Sequence, residues 1–284
     1  MATEPFGLEG RRALVTAAGR GIGRGIAIAL AAAGARVAVN SYRRETAEDT
    51  VSAIREAGGE AFALPGDATD PDAIDAMLAA AIDELGGLDV LVNNVGAGPV
   101  DGIPGGDTPS RRTAALWDAL YGQNLRAAVV ATEAAMPALV ASGRGRVVNI
   151  SSIAGHTAFS PTALRTLVPP AYGAAKAALS HYTRSAAELF GADGVTVNAV
   201  CPGIVWTDAW RANAEQIVDD AAKARDWFEG IARGAYPELF DRTPTRREQT
   251  VEEVAAAVVY LCSDAARSVT GQALMVDGGM VHAH

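Results

Sequence analysis

The sequence predicts an α/β fold: a doubly wound parallel sheet of about seven strands with helices on both faces, in a single domain. Three observations carry this. Short, continuous apolar runs alternate with longer helix-forming stretches along most of the chain, as expected of strands buried on both faces. The first such run passes through a glycine-rich turn directly into a long apolar helix. No internal repeat, low-complexity tract or Pro/Gly/Ser linker divides the 284 residues into two cores.

The elements follow in order. A strand at Ala13 to Thr16 leads into a helix from about Gly21 to Ala33, which Gly34 ends as a helix C-terminus prefers. Arg36 to Asn40 forms a second strand, Thr46 to Ala57 a polar helix and Ala61 to Leu64 a third strand. Ile74 to Leu85 reads as a helix, Val90 to Asn93 as a buried strand, Trp117 to Ala141 as one long helix and Arg146 to Ile150 as a strand. Tyr172 to Phe190 is helical, Val195 to Val200 extended, Val251 to Cys262 helical and Ala273 to Val276 the last strand. Three connections exceed what a compact α/β unit needs, at about 97–115, 153–171 and 207–250, and are expected to be substrate-lid insertions. Pro99, Gly102, Pro104, Gly105, Gly106 and Pro109 exclude regular structure in the first, whereas Ala209 to Ile231 in the third carries helix formers and aromatic anchors.

Composition narrows the function. The formal net charge of −9 offers no broad footprint for nucleic acid. The longest apolar stretch, Gly25 to Val39, is broken by Gly34 and Arg36 and falls short of a membrane span. The start shows no basic stretch followed by an apolar one, and the only cysteines, Cys201 and Cys262, lie in apolar runs, so a reduced cytoplasmic compartment is expected. His156, His181, His282 and His284 show no ligand spacing, and no metal site is expected. Among 24 basic residues only Lys176 and Lys223 are lysine, which singles out positions where an ammonium is needed.

The turn Thr16-Ala17-Ala18-Gly19-Arg20-Gly21-Ile22-Gly23 suits a pyrophosphate, since glycines allow close approach and the following helix supplies free N–H groups and a positive dipole end. The strict G-x-G-x-x-G spacing does not fit, because Arg24 stands where the last glycine would be. The second strand ends at Ser41-Tyr42-Arg43-Arg44, and no carboxylate occurs before Glu45. A ribose 2′-hydroxyl would favour a carboxylate there, whereas a 2′-phosphate pairs with guanidinium groups, and Arg20 lies in the facing turn. The cofactor expected is NADP(H), with NAD(H) as the lesser alternative.

Tyr172 and Lys176 stand four apart on one helix face. Reducing a ketone requires a proton donor, and a tyrosine titrating near 10 must come down about 3 units to work near neutrality, which an adjacent ammonium favours. Ser152, in Asn149-Ile150-Ser151-Ser152, lies at the C-terminal end of a parallel strand, where a hydroxyl can bond a developing alkoxide. His156, Trp206 and Trp210 are candidate substrate contacts.

Taken together these segments resemble the short-chain dehydrogenase/reductase family, a Rossmann fold. The turn resembles T-G-x-x-x-G-I-G, with Ala17 replacing its first glycine, and an Ala there is expected to keep an ordinary backbone conformation. Asn93-Asn94-Val95-Gly96 resembles N-N-A-G, and Pro202-Gly203-Ile204-Val205-Trp206-Thr207 resembles P-G-x-x-x-T. Leu261 to Asp264, Val269 to Gln272 and Val276 to Gly279 look like the family's last helix and strand. The resemblance spans about Leu8 to Met280, is similar to that of 3-oxoacyl-[acyl-carrier-protein] reductases, and implies roles. Tyr172 would be the acid/base, Lys176 its partner and a ribose ligand, Ser152 the polarising hydroxyl, and Asn124 the holder of a relay water. Asp67 with Ala68 would meet the adenine, Asn94 and Gly96 would lie along the cofactor, and Pro202, Gly203, Val205 and Thr207 would close over the nicotinamide. Pairing through Trp117 to Ala141 and Tyr172 to Phe190, with Ala174, Ala175, Ala177 and Ala178 allowing close approach, would give a homotetramer or homodimer. The implied activity is an NADP(H)-dependent interconversion of a small-molecule ketone and a secondary alcohol. Alternatives are an NAD(H)-dependent alcohol dehydrogenase, a dehydratase or epimerase with a transient keto intermediate, and a non-catalytic dinucleotide sensor.

Overall fold

The computed structural model describes residues 6–96, 113–218, 220–240 and 243–281. The strands are β1 (Arg12–Val15), β2 (Arg36–Ser41), β3 (Glu60–Pro65), β4 (Val90–Asn93), β5 (Arg146–Ile150), β6 (Thr196–Pro202) and β7 (Ala273–Val276). They form one parallel sheet of seven strands in the order β3-β2-β1-β4-β5-β6-β7. The winding reverses between β1 and β4, which leaves a crevice outside the strands' carboxyl ends, where α/β proteins bind ligands.

Alternate strand residues serve opposite faces, as the two-residue period of a strand requires. Val15, Val37, Val39, Val90 and Val92 join the core beneath α1 (Gly21–Ala32), α2 (Arg44–Glu56) and α10 (Val251–Cys262). Leu14, Ala38, Leu91 and Val147 face α3 (Pro71–Leu85), α5 (Ala127–Ala141) and α7 (Pro170–Phe190). Helix α1 lies so close to α10 that a Cβ on Gly25 would strike Val251 Cγ1. At the amino end of the sheet Asp89 is fully buried. Burial alone would raise its pKa, but hydrogen bonds from Arg12 and Arg144 outweigh this and hold it below the usual carboxylate range.

Element positions follow the sequence reading with few changes. The long helix expected from Trp117 begins earlier, as α4 (Ala114–Tyr121) with Thr113 as its N-cap, and a π-helical turn at Gly122–Arg126 joins it to α5. The proline- and glycine-rich loop falls on 97–112, outside the described residues. The second long connection contains α6 (Pro161–Thr166), and the third contains α8 (Asp208–Val218) and α9 (Ala221–Arg233). These segments share a third apolar cluster that includes Leu167, Ile204, Trp227, Phe228 and Phe240.

Candidate active site

A cleft of about 660 Å³ runs across the carboxyl ends of the central strands. One part is lined by Gly19, Arg20, Gly21, Ile22 and Gly23 after β1, Ser41, Tyr42 and Arg43 after β2, and Asn94 and Gly96 after β4. Ser152, Tyr172 and Lys176 line it further along, followed by Pro202, Gly203, Val205, Thr207 and Trp210.

The glycine turn is shaped by contacts the sequence did not announce. Ala17 adopts φ +50°, so the expected ordinary backbone is corrected to a left-handed one. Asn40 holds it there by accepting from Ala17 N at 3.1 Å, and Asn94 Nδ2 donates to the Ala17 carbonyl at 3.1 Å. A side chain on Gly23 would collide with Asn94 and with the Ala17 oxygen at 2.5 Å, and one on Gly19 would meet Ser41 Oγ at 2.5 Å. On Gly21, at φ +55°, it would meet only Thr207, at 3.8 Å. The N-terminus of α1 has no side-chain cap and no acidic residue in its first turn. Its free N–H groups and dipole thus face the cleft, and this cradle fits a dinucleotide pyrophosphate.

At the chemical part, Lys176 is 3 % exposed and donates from Nζ to the Ile150 carbonyl at 2.8 Å. Its Nζ lies 5.8 Å from the centre of the Tyr172 ring. A Cβ on Gly96 would lie 2.8 Å from that Nζ and 2.5 Å from Asn124 Oδ1, so the amide and the ammonium crowd one point beside the cleft wall. Asn124 is fully buried within the π turn and donates from Nδ2 to Leu120 O at 3.0 Å. Such turns recur at functional sites because they re-aim a side chain without ending a helix.

Burial raises the Tyr172 phenol above its ordinary value, opposed by hydrogen bonding to Ser152. Burial also lowers Lys176 to about 8. The depression of Tyr172 by Lys176 inferred from spacing is therefore not produced by the chain's own groups. The ammonium is spent on Ile150, and desolvation dominates both side chains.

Several sequence candidates lie elsewhere. The Thr16 hydroxyl donates to Val92 O and accepts from Asn94 N, tying β1 to β4 rather than lining the cleft. Arg44 pairs with Glu48 at 3.6 Å. Asp67 accepts from the backbone N–H and hydroxyl of Thr69, Ala68 is buried in the core, and neither lines the cleft. His156 turns away, with Nε2 3.0 Å from Ser180 Oγ and 3.5 Å from Cys201 Sγ, because the turn after β5 folds it against α7. Trp206 packs on Phe228 with ring centres 4.8 Å apart, and the Arg225 guanidinium covers its ring, so it too leaves the cleft. Ala175 is fully buried within its own chain. Three residues the sequence reading did not single out complete the site: Asn40, Asn213 in the wall, and Gln249, whose Oε1 accepts from Ile204 N at 2.9 Å. A lone Asn inside the apolar strand Arg-Val-Ala-Val-Asn-Ser was the available signal for Asn40.

Among the described residues no group of His, Cys, Asp and Glu could hold a metal ion, and no helix is long and apolar enough to cross a membrane. Known proteins share this architecture. The family model described as enoyl-(acyl carrier protein) reductase matches residues 16–281. A 3-oxoacyl-[acyl-carrier-protein] reductase of Synechocystis is 36 % identical over 277 residues, covering 96 % of this chain and 98 % of its own. A 7α-hydroxysteroid dehydrogenase solved with NADH and 7-oxo glycochenodeoxycholic acid superposes with a TM-score of 0.80 at 31 % identity, covering 98 % of this chain and 97 % of its own. L-sorbose reductase of Gluconobacter frateurii, solved with NADPH and L-sorbose, gives 0.86 at 25 % identity, covering 99 % and 100 %. The extent of these matches, together with the parallel sheet and its glycine cradle, establishes that the chain belongs to the short-chain dehydrogenase/reductase family of oxidoreductases.

Proposed function

We propose that this protein is an NADP(H)-dependent oxidoreductase that interconverts a ketone and a secondary alcohol. The observation that carries the reading is the junction of two features in one cleft: the uncapped α1 N-terminus with its glycine cradle, and Ser152 and Tyr172 with Lys176 buried beside them. A nicotinamide cofactor held in this cleft would supply or accept the hydride at the substrate carbon. Tyr172 passes the proton to or from the substrate oxygen, and Ser152 stabilises the charge that develops there. Lys176 would hold the nicotinamide ribose with the ammonium hydrogens it does not give to Ile150. Asn124 positions a relay water next to Lys176.

For NADP(H), the support is the pair Arg20, in the turn after β1, and Arg43, after β2, both exposed and both lining the cleft, with no carboxylate between the end of β2 and Glu45. Of the two solved relatives, one holds NADH and one NADPH. Fluorescence titration decides: NADPH binds about tenfold or more tighter than NADH, and Arg43→Ala removes most of the difference. Tighter binding of NADH overturns the preference. The segments 153–171 and 207–250 act as substrate lids in this reading, and the lid expected at 97–115 lies largely outside the described residues. We assign the protein to the cytoplasm as a homotetramer or homodimer, joined through α4–α5 and α7. Elution at monomer mass with light scattering would exclude that assembly.

A further inference from the structure

Beyond Ser152 and Tyr172 the cleft changes character. Phe159, Leu167, Val168, Trp210 and Phe240 form its wall, and among its described lining residues there this part holds no Lys, Arg or His. The one carboxylate among the described lining residues, Asp208, pairs with Arg211 at 3.1 Å. The polar lining residues of the whole cleft include the uncharged Asn213 and Gln123.

The aromatic wall is fixed before any substrate arrives. Phe159 stands edge-on to Phe240, with ring centres 5.1 Å apart at 78°. Trp210 stands edge-on to Phe228, at 5.2 Å and 62°. Phe228 is itself fully buried, so it anchors Trp210 to the third apolar cluster. Rings locked in this way present flat apolar faces and lose little freedom when a rigid body packs on them.

We infer that the substrate is a neutral, apolar, ring-bearing ketone or the matching secondary alcohol, its oxygen between Ser152 and Tyr172 and its rings against Phe159, Val168 and Trp210. This rests on the oxidoreductase reading above. Against Phe159, Val168 and Trp210 a polyhydroxylated ketose would set most of its hydroxyls on apolar carbon, and a polyanionic thioester would find no cation for its phosphates among the described residues that line this part of the cleft.

The test compares 2-decalone, L-sorbose and acetoacetyl-coenzyme A as substrates of the whole enzyme with NADPH. One NADPH is oxidised per ketone reduced, and the carbonyl oxygen gains its proton from Tyr172. The expected kcat/KM for 2-decalone exceeds the other two by about 100-fold or more. Trp210→Ala raises KM for 2-decalone about tenfold with kcat within about threefold, and Val168→Asp does the same should Trp210→Ala fail to fold. Calorimetric titration of 2-decalol into the NADP complex is expected to show a negative heat-capacity change, a readout independent of turnover. Higher kcat/KM for L-sorbose or the thioester overturns the substrate class while leaving the oxidoreductase reading intact, as does NADPH binding with no decalone turnover and no decalol binding. Failure of NADPH itself to bind overturns the reading beneath.

Discussion

Lys176 donates its ammonium to the Ile150 carbonyl at 2.8 Å, a bond that fastens the middle of α7 to the last residue of β5 and carries Tyr172 and Ser152 into one cleft. Nearly all of this lysine is buried, and its pKa falls to about 8. Its charge is present below that value and lost above it. Because the unfolded chain keeps the proton up to about 10.5, stability from this group rises with pH between about 8 and 10.5.

The chain contains only two lysines, Lys176 and Lys223, so NMR of ¹³C-labelled lysine resolves them cleanly. Lys223→Arg assigns the signals. The remaining resonance is expected to titrate with a midpoint of about 8, and a midpoint above 10 contradicts the buried placement.

Ala17 at φ +50° stores strain that a glycine would not, of order 1 kcal/mol. Ala17→Gly is expected to leave Tm unchanged or raise it by about 2 °C, since the relief competes with the extra freedom glycine gives the unfolded chain. Gly23→Ala does the opposite. Its methyl meets the Ala17 oxygen and Asn94, so Tm falls by several degrees and NADPH affinity by about tenfold or more. Thermal melts of the two variants check both signs.

His156 bonds Ser180 Oγ, which lies 2.8 Å from Ser151 Oγ, which in turn donates to the Lys176 carbonyl at 3.0 Å. The imidazole therefore supports the helix behind the site. His156→Ala is expected to leave KM for the ketone within about twofold while lowering kcat several-fold. A selective rise in KM would return His156 to the substrate pocket.

Helix α10, which packs behind α1, opens with a capping box of Thr250 and Glu253, and Arg247 pairs with the same carboxylate. The Arg247 hydrogen bond, with that from Thr250 N, lowers Glu253 to about 2, so its contribution is complete above pH 4.5 and lost as pH falls through about 2. Glu253→Gln is expected to lower Tm by about 2 °C at pH 7, with the difference from wild type closing in acid. A difference that is independent of pH contradicts the cap.

Strand positions were legible because each carries its own local signal: Val90 to Asn93 and Arg146 to Ile150 are continuous apolar runs, and the parallel, doubly wound sheet followed from their alternation with helices, whereas the strand order came from the structure. Tyr172, Lys176 and Ser152 were legible because helix periodicity and strand ends fix where such side chains emerge. What escaped was set by tertiary contacts. No local rule places Ala17 in a left-handed conformation, since Asn40 and Asn94 impose it from two other strand ends. The π turn around Asn124 leaves no mark in a pattern of apolar residues. His156 and Trp206 carry the right chemistry for a pocket, but the former turns to Ser180 and the latter to Phe228. Lysine scarcity marked Lys176 correctly as unusual, while the lowered pKa came from burial that spacing alone does not reveal.

The most direct measurement is NADPH oxidation with 2-decalone by wild type and by Tyr172→Phe, alongside NADPH binding to each. The account predicts a loss of about 10²- to 10⁴-fold in kcat for the variant, with NADPH affinity within about threefold of wild type. Equal turnover by the two proteins would contradict it.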